Sequence, residues 1–354
     1  MLDLLGEDWA LVLVGFAGGV LLGLAARLGR FCTLGAIEDY HFAGQSLRLR
    51  MWGVALGFGI MLIFSAQMLG WFDATRSVYL LQTPGLVAAA LGGLIFGLGM
   101  ALAGNCGFGA LSRLGGGEMR SFVIVVVMGL TAMATLSGPL AELRLAIFPR
   151  VTSAEGTGVA QLIGGATGIA PALVGVLLGV SLFAVSYFGA SDRRVLWGLP
   201  VACAIALGFV GSAWVAREGF APVSVTSHSF AAPIGETMIY AMLSSGISPG
   251  FGVGSVLGVL VGAFMGSTSR GVFKWEACDD HRELRRQIGG AMMMGFGAVL
   301  SFGCSVGQGL SAFSVLAVTA PVTLGAIWLG GYLGLRYMIE GPAFVKRWQG
   351  SAAD

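Results

Sequence analysis

The strongest constraint on this chain is a segment written twice. Residues 97–112 read GLGMALAGNCGFGALS, and residues 295–311 read GFGAVLSFGCSVGQGLS. An offset of 198 positions aligns Gly97 with Gly295, Gly99 with Gly297, Leu102 with Leu300, Cys106 with Cys304 and Gly109 with Gly307. Each copy runs an apolar helix into a glycine-rich break that holds one cysteine. Irregular backbone survives at bilayer depth only where protein or a cavity covers it, so repeated broken helices in an apolar chain mark a substrate path. The pattern points to a transporter.

Composition puts that path in a membrane. Of 354 residues, 56% are hydrophobic and 11% charged, with a mean hydropathy of +0.85; soluble domains carry roughly 25% charged residues. The 59 glycines let membrane helices approach closely. Five cysteines without a C-x-x-C pair make neither a disulfide framework nor a zinc site, so no metal and no cofactor is expected. A net charge of +2 gives no reason to expect nucleic acid. No GxxxxGK[ST] motif occurs, which excludes ATP hydrolysis by that route.

Apolar runs of about 20 residues place nine spans near 9–27, 51–70, 86–103, 121–140, 171–190, 195–215, 251–266, 289–303 and 319–338. Asp3, Glu7 and Asp8 precede the first, unlike the cationic leader of a signal peptide, so that helix is expected to be retained. With the N-terminus outside, 16 of the 20 Lys and Arg residues fall on inner segments and 4 on outer ones, the distribution that the positive-inside rule demands. The Cys106 and Cys304 breaks then face opposite sides, as in an inverted repeat. The expected fold is an all-α integral membrane protein, a single transport domain over 1–354 with pseudo-repeat halves near 9–140 and 171–338.

A third cysteine break, GRFCTLGAIED at 29–39, puts Cys32 on the inner side. A fourth irregular stretch, 221–250, has no cysteine but holds Pro222, His228, Pro233 and Pro249. It is too apolar for a solvated outer loop and is expected to fold back into the protein. Two irregular, re-entrant segments from each face predict an hourglass with a narrow protein-lined centre.

The same residues carry a family resemblance. GRFCTLGAIED at 29–39, GNCGFGALSRLGGG at 104–117, FGCSVGQGLSAFS at 302–314 and SRGVFKWE at 269–276 resemble the YeeE/YedE family of sulfur-transport membrane proteins across nearly the whole chain. The resemblance implies uptake of thiosulfate, or of a related sulfur or selenium species, through the bacterial inner membrane. It assigns the path to Cys304, Cys106 and Cys32, and implies a small cytoplasmic sulfur-carrier protein of the sulfurtransferase type as partner.

The chemistry fits without the family. Thiosulfate has an oxyanion end and a soft terminal sulfur, and a thiol is a weak, polarizable donor and acceptor. Several weak sites in series favour conduction over trapping. Glycine-rich breaks that lead into helices offer backbone N–H groups to an anion, with Asn105, Ser305, Gln308 and Ser311 as neutral donors. Arg113 is a candidate for drawing anions to the inner mouth, with positive-inside anchoring as the alternative. Cys203 reads as a small buried hydrophobe, Cys278 as a cytoplasmic surface thiol, Met292–Met294 as core packing, and Glu118–Arg120 and 279–286 as solvated faces. Glu38, Asp39 and His41 form either a proton relay or a capped loop edge, and His228 is either vestibule polarity or a satisfied loop histidine. Two rival classes stay open: a membrane thiol-disulfide oxidoreductase, which the lack of a C-x-x-C pair disfavours, and a channel for a non-sulfur solute with incidental cysteines.

Overall fold

The computed structural model describes residues 6–149, 151–152, 156–190, 192–220, 222–277 and 281–341. Cys278, Asp279 and Asp280 lie outside the described residues, as do Lys346 and Arg347.

An apolar chain in lipid must satisfy its backbone within each segment, which selects helices. Fifteen are described: α1 (Glu7–Leu28), α2 (Thr33–His41), α3 (Leu47–Met68), α4 (Val78–Leu81), α5 (Leu86–Ala103), α6 (Gly107–Gly115), α7 (Arg120–Leu136), α8 (Ala141–Ile147), α9 (Val159–Thr167), α10 (Pro171–Phe188), α11 (Gly198–Glu218), α12 (Ala231–Leu243), α13 (Phe251–Ser269), α14 (His281–Leu300) and α15 (Thr319–Glu340). A wide π-helical turn spans Gly307–Ala312. The strands are two residues long each, Gln82–Thr83 antiparallel to Val151–Thr152.

Among the described residues, seven helical segments are long and apolar enough to cross a membrane, and an eighth results if α7 and α8, bent by 60°, count as one span. The stretch expected near 289–303 belongs to α14, whose first two turns carry Arg282, Glu283, Arg285 and Arg286. Those charges shorten its apolar length below that of the other spans. Large apolar side chains such as Leu130, Leu177, Val185, Leu257 and Leu329 are exposed on the outer faces of their helices, as a lipid-facing belt requires. The chain is a multi-pass membrane protein.

The helices run twice through one order of broken helix, straight helix, broken helix, straight helix. The first series is α1/α2, α3, α5/α6, α7; the second is α11/α12, α13, α14 with its π-turn, and α15. Helix α10 stands outside both and packs on α3. Contacts correspond between the series: α1 on α13 and α11 on α3, α5 on α15 and α14 on α7, α12 on α7 and α2 on α15.

Glycine sets these contacts. A Cβ at Gly15, Gly19 or Gly23 would lie 2.3 to 2.5 Å from the backbone oxygens of Phe251, Ser255 and Val259, so α1 and α13 run parallel with their backbones in contact. Gly92 faces Gly297 and Gly99 faces Gly290, which makes α5 and α14 antiparallel. Gly18 lies near Ala204 and Gly211 against Val14, so α1 and α11 are antiparallel too. The two pairs of corresponding broken helices therefore run in opposite directions.

Candidate functional site

Three helix breaks share one local structure. In each, the residue two before the cysteine is left-handed: Arg30 at φ 56°, Gly104 at φ 78° and Phe302 at φ 61°. That residue ends one helix and turns the chain. Cys32 and Cys106 are then the N-cap residues of α2 and α6, and each sulfur accepts the backbone N–H three residues on, from Gly35 at 3.5 Å and Gly109 at 3.4 Å. Cys304 does the same with Gly307 at 3.5 Å, where the chain enters the π-turn. A cap side chain normally supplies an oxygen here, and sulfur in all three places is a soft substitute. Two of the left-handed residues are not glycine, a conformation that costs roughly 1–2 kcal/mol and concentrates at functional sites.

The sulfurs are shielded. Cys106 and Cys304 are 0% and 1% exposed, and Cys32 is half-buried. Cys106 lies within electrostatic range of both Cys32 and Cys304. The groups bonded to the three sulfurs are neutral amides and one serine hydroxyl. Arg48 packs over Gly35, but its charge is balanced by Asp39 at 3.3 Å.

The fourth break folds back into the protein. The Glu7 carboxylate accepts from the Phe220 amide at 2.6 Å, whereas the His228 ring sits against Gly18, eleven residues or about 16 Å further along α1. The returning strand brings the Phe230 N–H to 3.4 Å from Cys304 Sγ and the Ser229 hydroxyl to 3.9 Å. Cys304 is thus held by donors from two elements. Sequence reading missed Ser229 and Phe230 as partners of this thiol, because a cysteine-free loop gives no local sign of the sulfur it will meet.

Two adjoining cavities of about 920 and 640 Å³ share Val78, Gln82, Pro222, Val223 and Ser224. The smaller reaches down to Tyr79, Ser229, Phe302 and Gly303, which brings it to the edge of Cys304. Tyr79 is a further residue that sequence reading missed; its hydroxyl faces the side chains of Thr226 and Ser311.

The expected neutral donors fare differently. Ser311 spends its hydroxyl proton on the His228 carbonyl at 2.7 Å, and Gln308 donates Nε2 to the Phe302 carbonyl at 3.2 Å, so both brace the breaks. Asn105 Oδ1 and Gln308 Oε1 are buried without a partner. The Ser305 side chain faces the Cys106 thiol while making no hydrogen bond of ordinary geometry. Arg113 is not beside the thiols. It pairs with Glu118 at 3.7 Å in a cluster where Arg120 joins Glu118 and Glu283, and Arg27 donates to the Arg113 carbonyl. In the same region the 269–276 motif docks through Glu276, whose carbonyl accepts from Met119 at 3.0 Å.

Other residues resolve plainly. Asp39 is paired with Arg48, and His41 Nε2 accepts from Trp328 at 3.0 Å, so both have structural partners. Met294 is core, but Met292 is exposed. Cys203, expected to be buried, is exposed on α11 beside Leu199 and Pro200. In a lipid-facing helix both faces are apolar, so an apolar sequence context does not imply burial.

Comparison with known proteins agrees with this architecture. Residues 28–333 match the family described as Sulphur transport. The chain is 27% identical to the thiosulfate transporter TsuA of Escherichia coli K12 over 94% of its own length and 93% of the relative's. It is 25% identical to the thiosulfate transporter TsuA of Spirochaeta thermophila over 88% of this chain and 93% of that one. A match that takes in all three thiol-capped breaks and most of the spans between them settles the affiliation: this chain belongs to the sulphur-transport family.

Proposed function

We propose that this chain takes up thiosulfate across the bacterial inner membrane, handing it along Cys304, Cys106 and Cys32. The observation that carries this reading is one arrangement built three times: a left-handed residue two before the cysteine, and a sulfur that accepts the backbone N–H three residues on. A helix N-terminus attracts an anion without a fixed cation, and the capping thiol offers a soft partner to the terminal sulfur. The resemblance to two thiosulfate transporters supports the choice of anion.

The surroundings support the order. The smaller cavity reaches Ser229 and Gly303, which neighbour Cys304, Cys106 lies within electrostatic range of both other thiols, and Cys32 caps α2, where Arg48 packs over Gly35. The positive-inside count puts the N-terminus outside and the C-terminus in the cytoplasm, which makes the cavity end the outer mouth of an hourglass. The antiparallel pairs α1/α11 and α5/α14 support two inverted halves. The inner charged cluster around Arg27, Arg113 and Arg120 is where a sulfur-carrier protein would collect the product.

The test is growth. A cell without its own sulfate and thiosulfate importers, given thiosulfate as sole sulfur source, should grow when this chain is expressed. Absence of growth with the protein present in the membrane overturns the reading, and growth on another sulfur or selenium species alone reassigns the substrate.

A further inference from the structure

His228 is fully buried, and the proposed relay gives it no part. Its Nδ1 lies 2.6 Å from the Ser255 hydroxyl on α13, and its ring packs at a tilt of 50° against Phe251 with centroids 5.0 Å apart. Room for the ring exists because residue 18 is glycine: a Cβ there would stand 2.1 Å from Nε2. Its carbonyl accepts from Ser311 of the π-turn at 2.7 Å. Nε2 makes no hydrogen bond of ordinary geometry, so any use of the ring comes through Nδ1; burying an imidazole in an apolar bundle is otherwise costly, and a leucine would fill the same space.

The use lies in the next two residues. Ser229 and Phe230 supply two of the three hydrogen-bond partners of Cys304 Sγ. Upstream, Ser227 donates to the Ile205 carbonyl at 2.8 Å, and Ser212 bonds both polar atoms of the Thr226 backbone. The strand is therefore pinned to α11 before His228 and to Cys304 after it. The His228 side chain is the tie to α13, and its carbonyl is the tie to the π-turn.

We propose that His228 is the positioning residue of the outer thiol, setting the Ser229–Phe230 peptide through Ser255 so that its N–H and hydroxyl point at Cys304 Sγ. This rests on reading Cys304 as a path thiol. The contact explains why the one break without a cysteine is tied down at every residue from Thr226 to Phe230.

The test uses the full chain in membranes, with Cys32, Cys106, Cys203 and Cys278 replaced by serine so that Cys304 is the sole thiol. Its alkylation by a water-soluble maleimide is timed near neutral pH and again in alkaline buffer, where a larger share of thiol is ionised. Removing a hydrogen bond from the reactive thiolate should slow the neutral-pH rate about threefold in both His228→Leu and Ser255→Ala, while the alkaline rate is slowed less or not at all. His228→Asn, which keeps a polar atom near the Nδ1 position, should recover most of the loss. A role confined to folding would lower the amount of protein and not the rate per molecule. A wild-type neutral rate in Ser255→Ala overturns the proposal even if His228→Leu never reaches the membrane, and so does an equal slowing at both pH values, which would mean altered access. The readout contains no thiosulfate, so its failure leaves the transport reading standing, and failure of growth on thiosulfate leaves the alkylation result standing.

Discussion

Replacing Cys106 by serine and by alanine separates what its sulfur does for the helix from what it does for the anion. As a cap, the thiol accepts the Gly109 N–H at 3.4 Å, a long bond to a weak acceptor. Serine is among the best N-caps and is worth about 1 kcal/mol over alanine. Its hydroxyl proton would have the facing Ser305 to meet. Cys106→Ser should therefore be as abundant and as heat-stable as the parent, whereas Cys106→Ala loses the cap and opens a small void at a fully buried site. For transport the ranking changes, because neither variant has a soft sulfur. Loss of one hydrogen bond to a charged ligand is worth about 1.5–3 kcal/mol, so initial uptake of labelled thiosulfate should fall at least about tenfold in Cys106→Ala at matched membrane abundance, and Cys106→Ser, whose hydroxyl donates but is not soft, should also fall below the parent. If Cys106→Ser takes up thiosulfate at the parental rate while Cys106→Ala is merely unstable, the sulfur is a cap and the relay is refuted.

An impermeant thiol reagent added outside intact cells should modify Cys304 before Cys32, since the cavity reaches Gly303 and Ser229; faster labelling of Cys32 reverses the orientation. Gly104→Ala should destabilise the protein by about 1–2 kcal/mol because position 104 is left-handed at φ 78°, whereas Arg30→Gly, at φ 56°, should be tolerated or stabilising, as thermal unfolding in detergent will show. Cys203→Ala should leave uptake unchanged, because Cys203 is exposed on the outer face of α11.

How far the sequence showed this differs from residue to residue. The Cys106 and Cys304 breaks could be matched because glycines flank both in one register, and the α5 limits, Leu86–Ala103, coincide with the apolar run. The kinship of Cys32 was harder to see. C-x-x-G recurs as CTLG, CGFG and CSVG, but the left-handed residue that unites the three is an arginine, a glycine and a phenylalanine. Backbone conformation there is imposed by tertiary packing, which a single sequence does not display. The span near 289–303 was blurred because α14 starts in a charged turn and ends at a break. Ser311 and Gln308 were identified as donors by type, yet their protons go to the His228 and Phe302 carbonyls; hydrogen-bond direction is set by neighbours remote in sequence. The pairing of His228 with Ser255 spans 27 positions and two helices, and no periodicity encodes it.

A path whose donors are neutral has an energetic consequence. Binding without a fixed lysine keeps each site weak enough to release a dianion, but it also means that the anion crosses with its full charge. Each elementary charge moved through 100 mV is worth about 2.3 kcal/mol, so entry of a dianion into a compartment 100 mV negative is opposed by about 4.6 kcal/mol, roughly a two-thousandfold concentration ratio. If the thiols carry thiosulfate alone, proteoliposomes with an imposed inside-negative potential should exclude it by about that ratio. Net uptake should then appear only when a sulfur acceptor inside consumes what arrives. The carboxylates of Asp8 and Glu236 line the smaller cavity, and they are where a compensating cation would have to enter if the alternative held. Equilibrium accumulation measured with and without the potential, in the absence of any acceptor, decides the matter: accumulation that ignores the potential means that two positive charges travel with each anion, and the uncoupled path is refuted.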